Sequence, residues 1–260
     1  MKITFAESAK ADIAAFIIDE GDKLPAAAAA LDKASGGLLS EALEGGRFDG
    51  KAGHQVIVVL PKGCEARRAV LMGGGKPKKR DARALEKIGG SFFKAIGASG
   101  FKTASITAGD PESAARVAVG AKLAAYRFDT YFTKLKPDQK PSLSGLTVIS
   151  TDPKAAKAAF APLDAATDGT YLARDLVNLP PNDLHPESFA AKVKDLAPLG
   201  LEVEILGEKQ MAKLGMGALL GVGQGSARES QLGIIKWNGG KPDEDPVVLV
   251  GKGVCFDTGG

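Results

Sequence analysis

The sequence predicts an α/β fold built on a mostly parallel sheet, and two observations carry that reading. Short apolar runs rich in Val, Ile and Leu alternate with helix-patterned stretches through residues 1–150. Near the far end, residues 247–250 read Val-Val-Leu-Val. A continuous apolar run of that length suits a strand covered on both faces, as parallel sheets require.

Taken in order, residues 2–6 and 14–18 read as strands. Residues 24–43 read as helical with a break at Gly36-Gly37, and the alanines from 26 to 30 fit a plain helix because alanine is the best helix former. Residues 55–60 and 69–72 are the next strands. Residues 82–96 put Leu85, Ile88 and Phe92 on one helical stripe. A strand at 102–107 follows, and Pro111 then opens a helix to about Tyr126 with Asp110 as its N-cap. Residues 146–150 give one more strand. Residues 133–143, with Pro137 and Pro141 among lysines, are the most linker-like in composition, yet the strand at 146–150 belongs with what precedes it.

The boundary is expected in the long helical run 155–177, which Pro162 should break and which ends before Pro180-Pro181. The organisation is therefore an α/β domain over residues 1–150, a helical connector over 151–178 and a second domain over 179–260. In the last of these, Pro186 opens a helix to about Ala197 and residues 201–206 form a strand. A short helix over 208–214 follows, then strands at 218–222, 232–237 and 247–250.

Composition narrows the function. A net charge of +3 is too small to point to nucleic acid. The two cysteines, Cys64 and Cys255, make neither a disulfide framework nor a zinc-ribbon spacing and fit a reducing compartment. The apolar run at 13–18 is flanked by Asp12, Asp19 and Glu20 and is no signal peptide. No apolar run approaches membrane-spanning length, so the expected location is cytoplasmic, with no membrane partner.

Several motifs carry less than they promise. Gly221-Val-Gly-Gln-Gly225 lacks the dinucleotide spacing and reads as a strand and bend packed close to another backbone. The basic stretch at 72–80 has no interleaved aromatic and reads as a solvated loop after a strand. With only His54 and His185, a His-Glu-x-x-His zinc site is excluded and a serine triad is hard to assemble. His54 reads as a surface turn residue, and His185, before Pro186, as a structural residue at a helix start.

Just past residues 247–250 stand Lys252 and Asp257, among Gly251, Gly253, Gly259 and Gly260. Polar groups beyond the carboxyl end of a strand in an α/β sheet are placed for chemistry, and the glycines allow close backbone approach. Three readings compete: a Gly turn with a solvated ion pair, an anion-binding turn, and a metal site. The anion-binding turn lacks the Lys-Ser or Lys-Thr of a P-loop. In the metal reading Asp257 is a hard oxygen donor able to bridge two cations, and Lys252 ligates as a neutral amine.

The stretch from Val250 to Gly260, Val-Gly-Lys-Gly-Val-Cys-Phe-Asp-Thr-Gly-Gly, resembles the first metal-binding segment of the leucyl aminopeptidases, the two-metal cytosol aminopeptidase family. Ala173-Arg-Asp-Leu-Val-Asn-Leu-Pro-Pro-Asn182 and Gly215-Met-Gly-Ala-Leu-Leu-Gly-Val-Gly-Gln-Gly-Ser226 resemble two further segments, in the family's order. In that family the lysine matching Lys252 ligates one metal and the aspartate matching Asp257 bridges both. Cys255 stands where the family more often has Thr or Ser.

The resemblance implies a macro-domain-like N-terminal α/β domain, a connecting helix and the beginning of a two-metal aminopeptidase domain. It implies release of N-terminal residues, leucine-type above all, from peptides with a free N-terminus, by a water activated between two divalent cations. Zinc or manganese would serve, with magnesium a further candidate, and the assembly would be a homo-hexamer. The catalytic residues and remaining ligands are expected beyond Gly260, so the chain reads as an N-terminal portion, inactive alone. Two other classes stand beside this one: a nucleic-acid or nucleotide-binding module in the N-terminal domain, and a non-catalytic assembly subunit. The first would need a basic face on residues 1–150, of which the short cluster at 76–80 is the visible trace.

Overall fold

The computed structural model describes residues 1–45, 48–241 and 243–255. The chain divides into two units, Met1–Ala173 and Arg174–Gly260.

In chain order the first unit contains β1 (Lys2–Ala6), β2 (Ile13–Asp19), α1 (Ala26–Ala34), α2 (Leu38–Glu44), β3 (Gln55–Val59) and β4 (Arg68–Gly75). α3 (Ala82–Ile96), β5 (Thr103–Gly109), α4 (Pro111–Ala124) and β6 (Gly145–Ser150) follow, and α5 (Pro153–Asn178) runs on into the second unit. The strands form a six-stranded sheet in the order β1-β6-β5-β2-β4-β3, parallel except where β3 meets β4. This is the mostly parallel α/β sheet that the alternating pattern predicts.

β2 sits inside the sheet, so its side chains are buried to both sides. Ile13 and Ala15 face a core built with Leu85, Ile88 and Phe92 of α3, the α4 alanines and Phe160 of α5. The predicted helical stripe is therefore the buried one. Phe16 and Ile18 face the opposite core, with Ala28 of α1, Leu39 of α2 and Leu71 of β4.

The helices begin where their caps place them. Asp81 accepts from the Ala84 N–H at 2.8 Å and Asp110 from the Ser113 N–H at 3.0 Å, with Pro111 as the first helical residue of α4. α3 and α4 approach closely because glycines face backbone at the contact. A Cβ on Gly120 would fall 1.8 Å from the Glu86 carbonyl oxygen, and one on Gly89 1.9 Å from that of Val117.

Several expectations need correcting. Pro162 does not break α5, although it removes one helical hydrogen bond. Anchors on both sides hold the helix: Phe160 is in the core, and beyond the proline Asp164 and Asp168 both bind Lys122 of α4 while the Tyr171 hydroxyl donates to the Lys122 carbonyl. The glycines at 73–75 are not loop. They extend β4 because the backbone of residues 50–51 packs on them; a Cβ on Gly73 would meet the Lys51 carbonyl oxygen at 1.9 Å. Farther along the same stretch, Arg80 is held by Asp19 at 2.7 Å.

The second unit contains α6 (Pro186–Lys194), β7 (Glu202–Leu206), α7 (Glu208–Lys213), α8 (Gly217–Gly223) and β8 (Leu232–Lys236), with β7 and β8 paired antiparallel. The strand expected at 218–222 is helix α8: a short apolar run has no period of its own, and Ala-Leu-Leu are strong helix formers. The strand expected at 247–250 is likewise not formed. Val247, Val248, Leu249 and Val250 are each at least 74% exposed. A strand covered on both faces needs neighbours for its backbone groups and a layer on each side. Among the described residues this unit offers only β7 and β8, and residues 247–250 join neither.

Candidate functional site

The N-terminus of α6 is the platform of the second unit's candidate site. His185 is the N-cap and Pro186 the first helical residue, the arrangement a proline-led helix start favours. The Ser188 hydroxyl accepts from the His185 N–H at 2.9 Å and donates to the Asp183 carbonyl at 2.8 Å. His185 Nδ1 lies 2.6 Å from Glu187 Oε2, and Glu187 Oε1 accepts from the Glu229 N–H at 3.2 Å. Its own backbone N–H, then the His185 side chain and the Glu229 N–H, hold the Glu187 carboxyl below its ordinary range against the opposing effect of burial. The loop after α8 is hooked a second time where Glu208 accepts from the Ser230 N–H at 2.8 Å.

Residues 253–255 lie against this platform. A Cβ on Gly253 would come within 3.0 Å of the Phe189 ring, so the absent side chain lets the backbone pass the aromatic edge. Cys255 is half-buried, and burial, then the nearby Glu187 charge, pushes its thiol up. A raised thiol pKa favours the protonated sulfur over the nucleophilic thiolate.

Lys252 is exposed, one residue before that contact, and makes no ion pair with a described residue. Asp257 lies outside the described residues. The structure therefore shows where Lys252 is carried and does not show the two side chains together. Among the described residues no cluster of three or more His, Cys, Asp or Glu could hold a metal ion. Of the two residues expected to ligate, Lys252 alone lies among the described residues.

Sequence reading missed the His185–Glu187–Glu229 network. Only the Pro186 helix start signalled it, since the contact to Glu229 spans 42 residues. His185 keeps the structural role expected of it. His54, in the first unit, is an exposed turn residue 3.3 Å from Asp49, as expected.

Known proteins resemble both parts of the chain. The family model described as the cytosol aminopeptidase family N-terminal domain matches residues 13–135, and that described as the catalytic domain matches residues 171–260. A probable cytosol aminopeptidase of Caulobacter vibrioides is 50% identical over 248 residues, covering 95% of this chain and 50% of the relative. Another, of Bradyrhizobium sp., is 45% identical over 240 residues, covering 89% and 48%. The chain thus spans about half the length of the curated relatives it matches. Among solved structures, a tomato leucine aminopeptidase mutant aligns with a TM-score of 0.76 at 23% identity, over 88% of this chain and 49% of that one. Bottromycin maturation enzyme BotP in complex with Mn aligns with a TM-score of 0.66 at 24% identity, over 88% and 45%. At such identities the likeness shows the fold. Matched in both its N-terminal and its catalytic part, the chain belongs to the cytosol aminopeptidase family.

Proposed function

We propose that the protein, extended to the length of its relatives, is a metal-dependent aminopeptidase that releases N-terminal residues from peptides, with a leucine-type preference. The observation that carries this reading is the catalytic-domain match over residues 171–260, which takes in both Lys252 and Asp257. The names of the relatives and the manganese complex of a structural neighbour support the same class of chemistry.

Lys252 and Asp257 are proposed as ligands of two divalent cations, zinc or manganese with magnesium as a further candidate. Bound there, the cations would supply the Lewis-acid charge that peptide hydrolysis needs at neutral pH. The rest depends on the chain's own residues. Lys252 could ligate only through its nitrogen lone pair, so it would serve as a neutral amine. Asp257 contributes a full negative charge and two oxygens. Gly251 has open space around the position of a Cβ, and the Phe189 ring limits where Gly253 can go, so the backbone around Lys252 is free on one side and guided on the other. With two ligands alone, residues 1–260 are proposed to hydrolyse leucine amides at background rate.

A cytoplasmic location and a homo-hexameric assembly belong to the same proposal. No helix among the described residues is long and apolar enough to cross a membrane. The experiment is leucine-amide hydrolysis by the extended protein before and after chelation. Turnover lost on chelation and restored by zinc or manganese is expected. Turnover indifferent to chelation would sink the metal-dependent reading.

A further inference from the structure

We propose that the first unit holds a second binding site, for a small aliphatic compound carrying a primary ammonium group. It lies between the β1–β2 connection, helix α1 and the uncovered face of β5 and β6. This proposal does not depend on the aminopeptidase reading.

The space exists because of how β1 is joined to β2. Both run parallel to the strands that separate them, β6 and β5. Chain leaving Ala6, level with Ile149, Thr107 and Phe16, must return to Ile13, level with Ala104, Leu146 and Ile3. The return is three residues down the sheet, roughly 10 Å, and three strand spacings across, roughly 14 Å. The direct distance is then about 17 Å, and seven extended Cα steps reach about 23–25 Å. A helix rising about 1.5 Å per residue would fall short. Residues 7–12 are accordingly non-helical, with slack enough to arch off the sheet. Their lower end is fastened by Asp12, whose Oδ2 accepts from the Thr103 hydroxyl at 2.6 Å.

Beneath the arch, among the described residues, no helix packs on this face of β5 and β6. A cavity of about 530 Å³ lies there, lined by residues of the connection, of α1 and of the sheet face. It adjoins a cleft of about 320 Å³ at the carboxyl ends of β5 and β6, since Glu7, Thr107 and Ile149 line both. That is the end of an α/β sheet at which ligands bind. On the floor, Ser105 is 2% exposed, and its hydroxyl has no hydrogen-bond partner among the described residues. Among the described residues Ser99 Oγ alone is a sealed side-chain oxygen without a partner, so the Ser105 oxygen is open to the cavity, where a guest's N–H can reach it.

The walls and rim define the guest. Ala27, Ala30 and Leu31 of α1 offer small aliphatic surface to an aliphatic body. At the rim Lys10 is paired with Glu65 at 3.1 Å, whereas Glu7 makes no ion pair with a described residue. The unopposed charge is therefore negative. An anion would meet the Glu7 carboxylate and no unpaired cation, while an ammonium would find a partner in Glu7 and an acceptor in Ser105.

Titration calorimetry of the chain with isoamylamine and with L-leucine amide tests this, with isovalerate as the anionic control. The two amines should bind in the millimolar range expected of so few atoms, and isovalerate should not bind. Glu7→Gln should weaken the amines by about fivefold, the loss of one partly exposed ion pair. Ala30→Trp, at an exposed helix position, should abolish binding with the circular dichroism melt unchanged. If that variant melts differently, Ser105→Val takes its place and should weaken both amines. No binding by either amine, binding of isovalerate, or amine binding unchanged by Glu7→Gln together with the cavity variant would overturn the proposal.

Discussion

Asp32 lies in the last turn of α1 but caps the helix that follows. Gly36 and Gly37, at φ 77° and 90°, turn the chain so that the N-terminus of α2 faces it. Its Oδ1 then accepts from the Leu39 and Ser40 N–H groups at 2.9 and 3.0 Å, and its Oδ2 from the Ser40 hydroxyl at 2.6 Å. Burial works to raise its pKa, but these donors outweigh burial and hold the carboxyl below the ordinary 3.8. The folded value is the depressed one, so the stabilisation is present above the unfolded carboxyl's value and is lost as pH falls through the folded value. Asp32→Ala should cost about 1–2 kcal/mol at neutral pH, read by urea unfolding, and the gap should narrow in acid. A gap that persisted unchanged in strong acid would rule out the carboxylate cap. Asp110 was legible in the sequence because Pro111 marks its helix start, whereas the role of Asp32 depends on a turn that folds the chain back on it.

At the scale of elements, the α3–α4 contact sets sterics against propensity. Helix propensity alone predicts that Gly120→Ala stabilises the protein by about 1 kcal/mol. The close approach to the Glu86 carbonyl predicts the reverse, because the two helices must part to admit a methyl group. A loss of about 2–3 kcal/mol is expected, at the upper range of overpacked cores. A rise in melting temperature would show that the interface yields without cost. Element type was legible where a period or a cap existed, as in the stripe of α3 and the cap of α4. It was not legible at α8, whose four apolar residues, Ala218, Leu219, Leu220 and Val222, stand between glycines and carry no period. Nor was it at residues 247–250, where apolar composition reports what a segment can be buried in, not whether a neighbouring strand is present.

For the whole molecule, the two units differ in what they bury. Both hydrophobic clusters of buried residues draw their members from the first unit. The second unit rests on a two-stranded sheet and short helices, with Trp237 and residues 247–250 exposed. An isolated pair of strands is marginal in water. Residues 1–173 alone should therefore melt cooperatively by circular dichroism, and residues 174–260 alone should show no cooperative melt. A cooperative second unit and a molten first one would reverse this account. The candidate site was legible by a different route from the fold. The pattern of residues left three readings of Lys252 and Asp257 open, and the likeness of three segments to one family favoured the metal reading. The platform of His185 and Glu187 beneath residues 253–255 became visible only in three dimensions.

The assignment of Lys252 and Asp257 as metal ligands is tested most directly by elemental analysis and leucine-amide turnover on the same preparations of the extended protein. Lys252→Arg should lose metal and activity together, since a guanidinium keeps its proton and offers no lone pair. Asp257→Asn, which keeps the shape and removes the charge, should do the same. A solvated ion pair at these positions predicts full metal content, normal turnover and stability changes below about 1 kcal/mol in both variants. Retention of metal and rate by Lys252→Arg would contradict the assignment.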